Sequence, residues 1–210
     1  RFVSSVDGQR MQSEVITPQT LHLALRAIRF ASRLRTSPLI DLAALGRRLA
    51  AEGLEDSRLG RAGLLPRWLE EIVWAQLARQ RGADPAQRLA ERSLDWQLAR
   101  LADDFLAHSP ARETWGVLYV RYFAASSHSI RQLVGLTGVA EKTLRRRLDR
   151  GYELLAEAVR ELELAAVNEA RSEHALPEEP TAFIGREADL AAVRRLMADH
   201  PLVTLTGPGG

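Results

Sequence analysis

Residues 129–163 read SIRQLVGLTGVAEKTLRRRLDRGYELLAEAVRELE, and the fold turns on how this stretch is divided. Its apolar spacing predicts a short helix from Ser129, a turn through Leu136, Thr137, Gly138 and Val139, and a second helix from about Ala140 onward. Gly138 supplies the left-handed backbone that a sharp turn needs. Leu133, Val139, Leu144 and Leu148 then fill the angle between the helices, which is the spacing of a helix-turn-helix. At about 100° per residue, Leu144 and Leu148 define the inward side of the second helix. Lys142 and Arg146 lie opposite, with Arg145 and Arg147 on the flanks.

Cations on the open side of such a helix suit duplex DNA. A guanidinium pairs two-pronged with guanine in the major groove, any cation gains from phosphate neutralisation, and Glu141 is placed to accept from cytosine. The candidate DNA-binding residues are therefore Glu141, Lys142, Arg145, Arg146, Arg147 and Arg150. The competing reading is a solvated helix face, since three consecutive arginines span about 200° of the wheel and cannot all point at one partner.

Upstream, the pattern is helical almost throughout. In residues 17–34, Pro18 after Thr17 marks a helix start, and Leu21, Leu25 and Ile28 recur at helical spacing. Ser37 and Pro38 open a second helix, with Leu39, Leu42, Leu45 and Leu49 on one face and Gly53 as its stop. A third carries Leu69, Ile72, Val73 and Leu77 and ends at Gly82, and a fourth covers Ala86 to His108. Trp68, Trp74, Trp96 and Trp115 lie on apolar faces and are expected in cores rather than on a base-stacking platform. Arg26, Arg29, Arg33 and Arg35 are candidates for phosphate contact, although such residues more often solvate a helix surface.

Composition excludes several classes. With 46% hydrophobic and 27% charged residues the 210-residue chain is globular rather than disordered. There is no cysteine, and the five histidines lack ligand-like spacing, so no metal site is expected. No apolar run reaches the ~20 residues of a membrane span, and a cytoplasmic protein without membrane partners is expected.

ETWGVLYVRYF (113–123) leading into residues 129–163 resembles the helix-turn-helix of the sigma factor region 4 type, with an unusually long recognition helix running to Glu163 or beyond. The chain departs from that pattern at Val134, where alanine is usual, and at Ala140, where a serine or threonine cap is usual. Bacterial regulators of this build carry the unit ahead of a signal-transduction NTPase of the STAND class, which includes NB-ARC domains.

The following sequence fits that order. NEARSEHALPEEP (168–180) reads as a linker, because Pro177 and Pro180 prevent a continuous helix. FIGRE (183–187), a helix from Ala188 to about Ala198, and LVTLTGPGG (202–210) are similar to the opening of a STAND ATPase, with a first strand entering a Walker A loop. The resemblance implies nucleotide contacts from Phe183, Ile184 and Gly185, and from Gly207, Pro208, Gly209 and Gly210. The loop's lysine and its serine or threonine, which reach the phosphates and Mg²⁺, do not follow. The chain also opens on Arg1 rather than methionine, and both ends look cut.

The expected fold class is thus mainly α: a helical array with a helix-turn-helix and long recognition helix, ending in the first helix and strand of an α/β P-loop domain. The expected segments are a helical region over 1–110, the helix-turn-helix over 111–166, a linker over 167–180 and the start of the NTPase domain over 181–210. The function expected from the resemblance is the DNA-binding portion of a bacterial transcriptional regulator switched by ATP and ADP with Mg²⁺. Self-association would come through the NTPase domain of the full-length protein. No catalytic residue and no tight nucleotide binding are expected of this chain. The alternative is a helical protein-interaction or scaffold module ahead of a STAND ATPase, without DNA binding.

Overall fold

The computed structural model describes residues 15–84, 94–124, 128–173 and 187–199. Among these the chain is mainly helical and contains no strand. Contacts divide it into two units, residues 1–172 and 173–210.

The first unit begins with α1 (Pro18–Ala27), where Thr17 caps the helix by accepting from the Thr20 N–H at 3.0 Å. The single helix expected to Leu34 is in fact broken after Ala27 and resumes as the one-turn α2 (Ala31–Leu34). The next expected helix is also divided. Ser37 caps a 3₁₀ turn, Pro38–Asp41, and Leu42 then adopts an extended backbone before α3 (Ala43–Ala51). The break keeps Leu39, Ile40, Leu42, Leu45 and Leu49 all at 2% exposure or less, which a continuous helix would spread over more than one face. Gly53 is left-handed just past the end of α3.

Helix α4 (Arg58–Arg81) is longer than its apolar pattern alone suggested, because Ser57 caps it ahead of Pro66. Pro66 sits inside the helix and removes one backbone donor there. Gly82 ends α4 in the left-handed conformation. Helix α5 (Leu94–Leu106) and α6 (Pro110–Tyr122) follow. Residues 113–120 of α6 are buried on every side, so this helix is the centre of the unit, packed between α4 and α5. Trp68, Trp74 and Trp115 are in this core, and Trp96 is half-buried with the Arg100 guanidinium 5.4 Å from its ring centre.

Helix α7 (Ile130–Thr137) and α8 (Glu141–Glu173) complete the unit. Helix α8 continues past Asn168 to Glu173, six residues into the stretch read as linker, since the helix-breaking prolines come only at 177 and 180. Two glycines mark close approaches. A Cβ on Gly151 of α8 would lie 3.5 Å from Leu118, and one on Gly116 would lie 2.8 Å from Asp104 Oδ2. Asp104 in turn forms a buried pair with Arg81, at 2.5 Å.

In the second unit the described element is α9 (Glu187–Asp199), which matches the helix expected from Ala188 to about Ala198. The expected strand at 202–206 lies outside the described residues, as do Phe183, Ile184, Gly185, Gly207, Pro208, Gly209 and Gly210. Among the described residues no helix is long and apolar enough to cross a membrane.

Candidate nucleic-acid interface

The expected turn is present but shorter and later than its predicted bounds: Leu136 and Thr137 still belong to α7, and residues 138–140 make the connection to α8. Ser129 and Gln132 form a reciprocal capping box at the start of α7: the Ser129 hydroxyl accepts from the Gln132 N–H at 3.2 Å, and the Gln132 side chain accepts from the Ser129 N–H at 2.7 Å. Gly138 closes α7 with φ +67°, its N–H donating to the Val134 carbonyl at 2.9 Å. Open space surrounds its missing Cβ, so backbone conformation rather than crowding is what makes glycine favourable there.

Leu133, Leu144 and Leu148 are buried in the angle, with Val139 and Val134 half-buried against the same core. Each fully buried leucine contributes about 2 kcal/mol, enough to hold two short helical segments at a fixed angle. At Ala140, where no hydroxyl is available, the first turn of α8 is held by backbone bonds from Thr143 and Leu144 to the Ala140 carbonyl. The Thr137 hydroxyl accepts from the Val139 N–H at 3.3 Å.

This packing aims the start of α8 as the wheel requires. Glu141, Lys142, Arg145, Arg146, Asp149 and Arg150 are exposed, and the first five share a shallow hollow with Thr143. The cations on that face are not equivalent. Lys142 and Arg146 make no hydrogen bond or ion pair among the described residues. Arg145 pairs with Glu141 at 2.5 Å along the helix, and Arg150 pairs with Glu153 at 2.7 Å. Exposed pairs of this kind are worth a few tenths of a kcal/mol, so either arginine can exchange its carboxylate for a phosphate at little expense.

Arg147 is different from the other candidates. Its guanidinium turns inward and donates to Glu113 of α6 at 2.7 Å, with the two side chains 17% and 6% exposed. The flank position assigned by the wheel is correct, but the neighbouring helix supplies a carboxylate that occupies it, so Arg147 is removed from the open face.

Behind that face is a cleft that the motif did not indicate. It is bordered by α1, the end of α6, the first turn of α7 and α8, and its lining includes Arg26 and Arg121 beside Arg145. Arg26 carried a sequence signal as one of the upstream arginines. Arg121 carried none beyond its place in VRYF, because only tertiary packing brings it to α8. Of the other upstream arginines, Arg29 donates to the Ala124 carbonyl at 3.1 Å and Arg33 lies over the Phe30 ring.

Comparison with known proteins adds little to this geometry. Uncharacterized proteins of Mycobacterium tuberculosis and Mycobacterium bovis are 53% identical to the chain over 38 residues, which is 18% of this chain. That stretch is 10% of each relative's own length, so the chain spans only a small part of the curated relatives it matches. No family model matches the chain. No solved structure matches it either.

Proposed function

We propose that this chain is the DNA-binding portion of a cytoplasmic, nucleotide-regulated bacterial transcription regulator, with the first turns of α8 seated in the major groove. The observation that carries this reading is the pair Lys142 and Arg146, one turn apart, exposed and without a hydrogen-bond or ion-pair partner among the described residues, directly after a left-handed Gly138 turn. A groove-binding helix needs charge that is available to phosphates and base edges, and these two residues have it. The resemblance of residues 112–163 to the sigma factor region 4 unit points the same way. Arg145 and Glu141 form the adjoining part of the contact, Arg150 reaches the backbone from further along the helix, and Arg147 serves the fold.

The nucleotide switch rests on the second unit. Helix α9 falls between FIGRE and LVTLTGPGG, the order in which a STAND ATPase opens. In the full-length protein, ATP or ADP with Mg²⁺ would meet Phe183, Ile184 and Gly185 and the backbone of Gly207, Pro208, Gly209 and Gly210. On this reading residues 1–210 alone are expected to show no saturable micromolar ATP binding, because the loop's lysine is not among them.

The scaffold alternative draws on one observation, the partial neutralisation of Arg145 and Arg150 by carboxylates on their own helix. Fluorescence anisotropy with labelled duplex DNA across a salt series separates the two. DNA binding predicts a steep fall of affinity with salt and its loss in Lys142→Ala/Arg146→Ala. Absent or salt-independent binding favours the scaffold.

A further inference from the structure

The cleft behind the recognition face encloses about 320 Å³ and is lined by His22 and Arg26 of α1, Arg121 and Tyr122 of α6, and Arg145 and Tyr152 of α8. We infer that this cleft seats a phosphate of the DNA backbone flanking the recognition helix, so that α1, outside the helix-turn-helix, forms part of the DNA interface. The inference rests on the proposed DNA binding and adds to it a second element and a defined anion subsite.

Four features support it. First, three arginines line the cleft with one acidic residue, Asp149, and since Arg145 also pairs with Glu141 along its own helix, the cationic character of the lining rests on Arg26 and Arg121. Arg26 makes no hydrogen bond or ion pair among the described residues, so its charge is available.

Second, the walls are fixed. Arg121 is anchored by donating to the His128 carbonyl and lies over the Tyr122 ring at 5.6 Å. The Tyr122 and Tyr152 hydroxyls are hydrogen-bonded at 2.6 Å, and His22 stacks on Tyr152 with ring centres 4.7 Å apart. A preformed wall loses little conformational freedom when an anion binds.

Third, the cleft continues the recognition face, because Arg145 and Asp149 line both hollows. Fourth, Ile130 in the first turn of α7 borders the cleft, so that α7 closes it together with α1, α6 and α8. Backbone contact made by arginines beside the groove fixes register without reading sequence.

The test is a salt series of duplex binding for the whole chain, comparing wild type with Arg26→Ala, Arg26→Glu and Arg48→Ala, the last removing one charge outside the cleft. Far-UV circular dichroism and thermal melting verify the fold of each variant, which an exposed Arg26 leaves intact. Arg26→Ala is expected to weaken binding roughly three- to tenfold on unrelated sequences alike and to reduce the slope of log affinity against log salt by about 0.9, one phosphate's worth. Arg26→Glu is expected to weaken it further, and Arg48→Ala to leave the slope unchanged. If both Arg26 variants keep wild-type affinity and slope while Lys142→Ala/Arg146→Ala loses binding, the cleft is not a phosphate subsite and the recognition-helix reading stands. If wild type binds no duplex at low salt, both are overturned.

Discussion

The guanidinium of Arg147 lies 2.7 Å from the carboxylate of Glu113, across the contact between α8 and the central helix α6. Both groups are largely shielded from water, so breaking the pair from one side leaves an uncompensated charge. Arg147→Ala is expected to destabilise the protein by about 3 kcal/mol, seen as a lower urea midpoint. Arg145→Ala/Arg146→Ala is expected to stay within about 0.5 kcal/mol of wild type, because both residues are exposed, while abolishing DNA binding. A DNA-affinity loss in Arg147→Ala with unchanged stability would contradict this division of roles.

Glu163 ties the far end of the same helix to the upstream region. Its two carboxylate oxygens accept from the Ala43 and Ala44 N–H groups at 3.0 and 2.9 Å, so a buried side chain of α8 caps α3, whose own Leu42 offers no cap. Glu163→Ala is expected to cost about 1–2 kcal/mol, the usual range for losing a cap. Hydrogen exchange should show the loss concentrated in residues 43–51 rather than at Gly138.

Two glycines are expected to fail for different reasons. Gly138→Ala meets no atoms but forces a side chain into φ +67°, at about 1 kcal/mol, and Gly138→Asn should recover part of that. Gly116→Ala keeps helical backbone but puts Cβ 2.8 Å from Asp104 Oδ2 and 3.0 Å from Leu101, against the buried pair with Arg81. Overpacking of that kind costs about 1–3 kcal/mol, and chemical denaturation of the two variants would rank Gly116→Ala as the more damaging.

What the sequence disclosed, and what it withheld, follows from the range of each interaction. Ser129, Gly138, Leu144 and Leu148 lie in one continuous stretch of sequence, and the left-handed turn expected at Gly138 is observed there, although Leu136 and Thr137 remain helical. The breaks after Ala27 and at Leu42 were hidden because the apolar spacing is nearly the same on either side of them. Arg147 was assigned to the surface because nothing local reveals Glu113, 34 residues away, as its partner. The cleft was invisible for the same reason, since Arg26, Arg121 and Arg145 meet only when three helices pack.

The hydroxyl pair of Tyr122 and Tyr152 predicts an alkaline limit to stability. Burial first, and then the hydrogen bond from its partner, push the Tyr152 phenol above its ordinary value of about 10; burial and Glu70 do the same for Tyr119. Unfolded tyrosines ionise first as pH rises, so this contribution is complete below about pH 10 and is lost above it. Tyr119→Phe/Tyr152→Phe should be less stable than wild type at pH 8, by about 1–2 kcal/mol, yet lose less stability between pH 8 and 11. Equal losses in that interval would exclude the two phenols as its cause.

His22 gives the cleft a proton-linked signature. Burial chiefly, then the charge of Arg26, holds its imidazole below the ordinary 6.5; Arg121 acts in the same direction and Asp149 opposes. In the free protein the unfolded state therefore takes up the proton first, and the stability tied to neutral His22 is complete above about pH 6.5 and declines as pH falls below it. A phosphate seated among Arg26, Arg121 and Arg145 offsets their charge and favours the imidazolium, so binding draws in a proton. Duplex affinity is expected to be flat between pH 8 and 7 and to rise as pH falls below about 6.5. His22→Gln should retain the affinity measured at pH 8 and lose the rise. A rise of equal size in His22→Gln would place the coupled proton elsewhere, and a flat profile in wild type would mean that no anion comes close to His22.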